Sequence, residues 1–255
     1  MEKNLRRFRV DLHNHTSLSP CGDARMIPQN ILRAAAERKV DVIGITDHNS
    51  AENVAAMREA AEPTGIRVIG GMEVTSAEEV HLLALFDGDD ELAGFQQLVY
   101  ENLHGTNDTE AFGYQWVFDA EGGVIDLNPR LLIGATVLSV HEVVDGIHGF
   151  GGVAIAAHVD RQSFSIISQL GFIPGDLDLD AVELSPFSEE HGFGPDELAA
   201  GVTGERKLVA VTFSDAHHVD EVGRAVTELM VADGSVAELR LALRGEGGRA
   251  VVGGV

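Results

Sequence analysis

Histidines and carboxylates beside short apolar runs are the residues of this chain best placed to do chemistry. Asp11-Leu-His13-Asn-His15-Thr16 overlaps and follows the run Phe8–Leu12, and Thr46-Asp47-His48-Asn49 comes off the run Val42–Thr46. Glu73 follows Arg67–Gly70, and His81 lies at the start of Val80–Phe86. His158 ends Val153–Ala157, and Ser214-Asp215-Ala-His217-His218 ends Leu208–Phe213. In His13-x-His15 the alternation of an extended segment puts both imidazoles on one side, close enough to grip one ion. A carboxylate such as Glu73 can bridge two ions, and Asp215 can complete the first set. Imidazole with carboxylate suits zinc, iron or manganese better than magnesium or calcium, which prefer oxygen alone. A single His-x-His says little, since most histidines are surface or hydrogen-bonded core residues. Ligand-type residues repeated at the ends of many strands are another matter. Buried ionisable groups cost several kcal/mol unless they are paired or coordinated.

Strands must deliver these side chains. The runs above, with Ala181–Leu184, are short, rich in Val, Ile and Leu and not cleanly alternating, as in strands covered on both faces. Helical patterns lie between them at Pro28–Arg38, Ala51–Glu62, Ser139–Gly146 and Ser235–Arg244. Such alternation argues for a parallel α/β architecture, open sheet or barrel, in which the carboxyl ends of the strands converge on one rim. The interval from Phe86 to Val153 is too long for a single crossover. From His104 to Arg130 it mixes glycine, asparagine and aromatic residues around a hairpin at Glu121-Gly122-Gly123, as an inserted subdomain would. The expected organisation is one domain over 1–245 with an insert at about 100–150, and a glycine-rich flexible tail at 246–255.

Of 255 residues, 44% are hydrophobic and 23% charged, which supports a real core and excludes disorder. No apolar run reaches the ~18 residues of a membrane span, and no apolar segment follows the basic start, so neither membrane span nor signal peptide is expected. Cys21 is the only cysteine, which rules out an internal disulfide and points to a reducing cytoplasm. With 18 basic and 41 acidic residues the formal charge is −23, a surface that repels extended duplex nucleic acid. A small anion drawn to a metal-lined pocket remains compatible with that charge.

The ordered set His13-x-His15, Thr46-Asp47-His48, Glu73 with His81, His158 and Asp215-x-His217 resembles the PHP (polymerase and histidinol phosphatase) family of metal-dependent phosphoesterases, from about Val10 to Gly223. The resemblance implies a distorted seven-stranded β/α barrel (TIM-like) with two or three divalent ions at its mouth. One ion would take His13, His15, Glu73 and Asp215, and a second would share Glu73 and add His81 and His158. A third would use His48 and His217 with a ligand from the loop Ser19-Pro-Cys21-Gly-Asp23. There Cys21 stands at the spacing where some relatives have histidine, and a thiolate would favour zinc or iron. The alternative is a packed thiol, with Asp23 as ligand or as cap of the next helix.

The reaction implied is hydrolysis of a small phosphorylated substrate, a nucleotide, sugar phosphate or histidinol phosphate, by a metal-bridging hydroxide. Asp215 is the catalytic ligand, and Arg161 either forks onto the phosphate or pairs with one of the many acids. Asp11 and Asp47 can orient imidazole N–H groups, Glu183 at the end of a strand can stand behind the ligands, and Asp160 or His218 can protonate a leaving group. His104, His141, His148 and His191 lie off the rim, and Leu85–Glu91 is a solvated turn rather than a calcium loop. The competing readings are exonuclease-like action on short oligonucleotides, amide hydrolysis, and a non-catalytic metal-binding module.

Overall fold

A computed structural model of the protein describes residues 4–190, 192–203 and 207–254. The chain begins β1 (Arg6–Asp11), α1 (Pro28–Glu37), β2 (Val42–Ile45), α2 (Val54–Ala61), β3 (Arg67–Thr75), β4 (His81–Phe86) and α3 (Asp89–Glu101). It continues with α4 (Thr109–Phe112), β5 (Trp116–Phe118), β6 (Val124–Leu127), α5 (Val140–Gly149), β7 (Val153–Ala156), α6 (Ile166–Leu170) and β8 (Ala181–Leu184). Last come α7 (Pro195–Gly201), β9 (Ala210–Thr212), β10 (Thr227–Val231), α8 (Val236–Arg244) and β11 (Ala250–Gly253).

Among the described residues, nine strands form one sheet in the order β11-β10-β1-β2-β3-β4-β7-β8-β9. The sheet curls until it nearly closes. The Thr227 hydroxyl accepts from the Thr212 N–H and donates to the Thr212 carbonyl, both at 2.9 Å. Beyond β1 and β9 an isolated bridge joins Asn14 to Ala216, with the His15 N–H donating to the Ala216 carbonyl at 3.0 Å. Where seven strands were implied, the sheet counts nine, because β10 and β11 escape a search for continuous apolar runs. Along β10 only Thr227, Leu229 and Val231 are buried, a half-buried alternation. Residues 250–253, expected within a flexible tail, pair with β10, and Arg249 beside them holds Glu238 at 2.9 Å.

The sheet is not wholly parallel either. β4 runs antiparallel to both β3 and β7, and β10 antiparallel to β1. Only five residues, 76–80, separate β3 from β4, whereas a parallel crossover needs a dozen or more. The tight return has a consequence for the site. Thr75 at the end of β3 faces His81 at the start of β4, so His81 reaches the same rim as residues at the carboxyl ends of other strands.

Alternate residues of β4 serve two cores. Leu83 and Leu85 join Phe8, Val10, Ile69, Ile155 and Phe213 in an inner cluster completed by Val236, Leu239 and Leu243 of α8. Leu82, Ala84 and Phe86 face the outer cluster built on α1, α2, α3 and α5. Each fully buried aliphatic or aromatic side chain contributes about 1.5–3 kcal/mol. Gly44 fits a close approach of β2 to β1, for a Cβ there would lie 2.4 Å from the Leu12 carbonyl oxygen, next to His13.

Within the interval 100–150, β5 and β6 make the expected hairpin, with Gly122 at φ +82° in its turn. It docks on the loop after His15. The Trp116 N–H donates to the Ser17 carbonyl at 3.1 Å, and Leu18 packs with Leu103, Val117 and Leu132. No helix among the described residues is long and apolar enough to cross a membrane.

Candidate metal centre

Glu73, buried on β3, is the hub of the rim. Its Oε1 lies 2.8 Å from His81 Nδ1 and 3.0 Å from His158 Nε2. Its Oε2 lies 3.1 Å from His48 Nδ1, 3.3 Å from His15 Nε2 and 3.5 Å from His13 Nε2. One carboxylate thus divides five imidazoles between its two oxygens. Asp215 Oδ1 joins the second group, 3.2 Å from His13 Nε2 and 3.3 Å from His15 Nε2.

Among the described residues, three sets of donor atoms are compact enough to hold an ion, each within 4.8 Å: His13, His15 and Asp215; His48, Glu73 and His81; and His15, Cys21, His48 and His217. The fit is also seen in buried atoms that have no hydrogen bond, most of them with ionic neighbours. His48 Nδ1, His158 Nδ1 and both Asp215 carboxylate oxygens are buried without a hydrogen bond, although buried polar atoms are otherwise nearly always satisfied. Cations would satisfy such a donor set.

The ligands are aimed by their neighbours. His13 Nδ1–H donates to both oxygens of the fully buried Glu183, at 2.9 and 3.1 Å, which leaves Nε2 facing the cluster. Ser19 Oγ accepts from His15 Nδ1–H at 2.9 Å and from the His48 N–H at 3.0 Å, and donates to Asp47 at 2.7 Å. Glu183 therefore orients an imidazole directly. Asp47 and Asp11 do not. Asp47 takes the Thr16 N–H and hydroxyl, both at 2.7 Å, and acts on His15 only through Ser19. Asp11 takes the Ser214 N–H at 2.9 Å and the Gly223 N–H at 2.8 Å, fixing the loop that carries Asp215. Ser19 carried no signal in the sequence beyond lying four residues after His15.

Charge and burial oppose one another here. Burial alone would raise the Glu73 and Asp215 carboxyls, but the imidazoles around them hold both well below the usual carboxylate range. Burial would likewise depress His13, yet Glu183, Asp215 and Glu73 push it well up. His217, buried beside His15, falls to about 4. Two candidate ligands also sit in strained backbone, His158 at φ +31° and Asp215 at φ +45°, a conformation side chains tolerate where the surroundings enforce it.

Around the cluster, Cys21 rather than Asp23 joins His15, His48 and His217. Asp23 is taken up by Arg25, at 2.8 Å from both its N–H and its Nε, and by His218 at 3.5 Å. Arg161 pairs with Asp215 at 2.5 Å. Asp160 bonds the Ser185 N–H at 2.7 Å and its hydroxyl, so neither Asp160 nor His218 is aimed at the cluster. His148 pairs with Asp180 and His141 with Asp176, both away from it. His104 is exposed, and His191 lies outside the described residues.

Comparison with known proteins identifies the family. The PHP domain profile matches residues 11–138, half of the chain, and a PHP-associated profile matches residues 197–246. The chain belongs to the PHP family. A phosphoribosyl 1,2-cyclic phosphate 1,2-diphosphodiesterase of Eggerthella lenta is 34% identical over 80 residues, 29% of this chain and 29% of that protein. A 5′-3′ exoribonuclease of Salmonella typhimurium is 31% identical over 80 residues, 29% of this chain and 26% of its own. The chain thus spans less than a third of the length of either relative. Among solved structures, the lesion-specific endonuclease Q of Pyrococcus furiosus superposes with a TM-score of 0.66 at 18% identity. That superposition covers 96% of this chain and 58% of the endonuclease. A Bifidobacterium adolescentis protein named for its expected metal-dependent phosphoesterase activity gives a TM-score of 0.51 at 20% identity, covering 83% of this chain and 88% of that one. At these identities the likeness is one of fold.

Proposed function

We propose that the protein is a metal-dependent phosphoesterase acting on nucleotide-type phosphate esters, mononucleotides or short oligonucleotides rather than extended duplexes. The observation that carries the reading is the division of Glu73, whose two oxygens face separate imidazole groups as a carboxylate shared by two ions would. In this reading His13, His15, Glu73 and Asp215 hold one ion, and Glu73, His81 and His158 hold another. His48, His217 and Cys21 hold a third, with zinc, manganese or iron as the ions. Bound there, such ions lower the pKa of a water toward neutrality and offset phosphate charge. Glu183 keeps His13 Nε2 turned inward, and Ser19 does the same for His15 Nε2. Arg161, now paired with Asp215, would fork onto a phosphate oxygen if Asp215 served as a metal ligand. The net charge of −23 supports a small or short substrate over a long duplex, and three of the relatives named above act on phosphodiesters, two on nucleic acid and one on a cyclic ribose phosphate. Residues 1–245 are read as one domain, with the insert at about 100–150, docked on the loop after His15, shaping specificity.

The test is phosphate release or phosphodiester cleavage by manganese- or zinc-loaded protein. The panel holds nucleoside monophosphates, 3′,5′-bisphosphates, cyclic nucleotides and short oligonucleotides. Turnover of at least one of them is expected to fall more than about 100-fold in His13→Ala, beyond the ~10–100-fold cost of losing a group that merely orients a ligand. Silence across the panel with metal bound, or full activity in the variant, sinks the reading.

The third set has its own test. Cys21→Ser is expected to lower metal content by about one ion per chain while the sets built on Glu73 stay filled. In cobalt-substituted protein it should abolish a thiolate-to-metal absorption band. No change in either measurement returns Cys21 to the role of a free thiol.

A further inference from the structure

Phe164 is an oddity of the rim. It is an aromatic residue at φ +58°, in the left-handed region where a side chain is disfavoured. Its ring stacks on His81, with centroids 4.7 Å apart and planes inclined by 16°. Yet the residue is 42% exposed, so its other face is open. Burial of apolar surface does not account for a strained residue that leaves so much of its ring in water.

The loop that presents it is braced at every turn. The Val159 N–H donates to the Glu183 carbonyl at 2.8 Å and the Arg161 N–H to the His158 carbonyl at 2.9 Å. The His81 N–H donates to the Phe164 carbonyl at 2.9 Å, and the Ser165 hydroxyl to the Arg161 carbonyl at 2.7 Å. A guanidinium paired with Asp215 and an open aromatic face are therefore fixed on one short, rigid segment beside the Glu73 cluster. The first suits a phosphate and the second a flat ring.

We propose that Phe164 is a stacking platform for the base of the substrate, so that a nucleotide is recognised by its planar base on Phe164 while its phosphate lies at Arg161 and the Glu73 cluster. The proposal rests on the phosphoesterase reading and deepens it, since it makes the base a recognised group rather than a passenger. Sugar phosphates and aliphatic phosphate esters lack that contact.

The experiment titrates manganese-loaded protein calorimetrically with two slowly hydrolysed ligands, adenosine 5′-phosphorothioate and ribose 5-phosphorothioate. They share the phosphate and differ in the base. The base is expected to tighten binding by about 5- to 100-fold, the range for one base on one aromatic ring. Phe164→Ala should erase that difference and leave the ribose ligand unaffected, whereas Phe164→Trp should retain it. Metal content and thermal melting of each variant show whether the cluster and fold persist. If Phe164→Ala does not fold, Phe164→Leu, which keeps bulk and loses the π face, makes the same comparison. Equal affinity for the two ligands, a base preference that survives loss of the ring, or no binding of either overturns the platform. Failure of the phosphoesterase reading shows elsewhere, as a silent panel in the hydrolysis assay with metal bound.

Discussion

Glu73→Gln is expected to empty two metal sets at once and to reduce turnover by at least about 1,000-fold, or ~4 kcal/mol of transition-state stabilisation. The amide has the shape of the carboxylate but only one acceptor oxygen. It cannot serve His81 and His158 on one side and His13, His15 and His48 on the other. Its NH₂ would point donors at nitrogens that need to face a cation. Removing one partner from a buried charge cluster costs roughly 3–5 kcal/mol. The metal-free protein should sit at the lower end, because imidazoles can release their protons when the carboxylate is gone. For a chain of this size that is a Tm lower by roughly 6–12 °C. Metal content by atomic emission, turnover on the best substrate and calorimetric melting check the three parts. A variant with normal metal content and turnover would remove Glu73 from the centre of the site.

The second large effect is expected at Glu183, which belongs to no donor set but holds the His13 imidazole. Glu183→Ala should weaken manganese binding by about 10–100-fold, because His13 loses the partner that fixes its ring and tautomer. Glu183→Gln should cost under ~10-fold, since the amide oxygen can still accept from His13 Nδ1–H. Competition against a chelating dye measures both, and kcat at saturating metal should recover in the glutamine variant. Equal losses in the two variants would mean that negative charge, and not orientation, is what Glu183 supplies.

Most candidate donors of this site were legible in the sequence because they sit just after an apolar run, where both residue type and position carry information. His13, His15, Glu73, His158 and Asp215 could be placed on one rim before any coordinates. His81 was legible as a residue type but not in its route, since it arrives on a strand running against its neighbours after a five-residue return. The strands β10 and β11 were lost for a related reason. One is only half apolar, and the other lies in a glycine-rich end whose order comes from pairing with β10, a contact no local pattern announces. The aims of Asp11 and Asp47 were equally hidden. A carboxylate beside a ligand can serve an imidazole or a backbone loop, and only tertiary approach decides between them. Here both serve loops, and Ser19, among the commonest residue types, carries the link from Asp47 to His15. Phe164 gave no signal because a lone phenylalanine outside any apolar run or motif carries no pattern of type or spacing.

The near-closure of the sheet gives the metal centre a mechanical role. The seam is fastened near the rim by one bridge between Asn14 and Ala216, and each of these lies between two donors, His13 and His15 on one side and Asp215 and His217 on the other. An ion taken up by His13, His15 and Asp215 would link the two sides of that seam. Metal loading and wall closure would then be one equilibrium, in which metal affinity adds to stability. The loose edge of the barrel and its reactive mouth are the same place. A chain that fails to close cannot assemble the full donor set, so catalytic competence reports on completed folding.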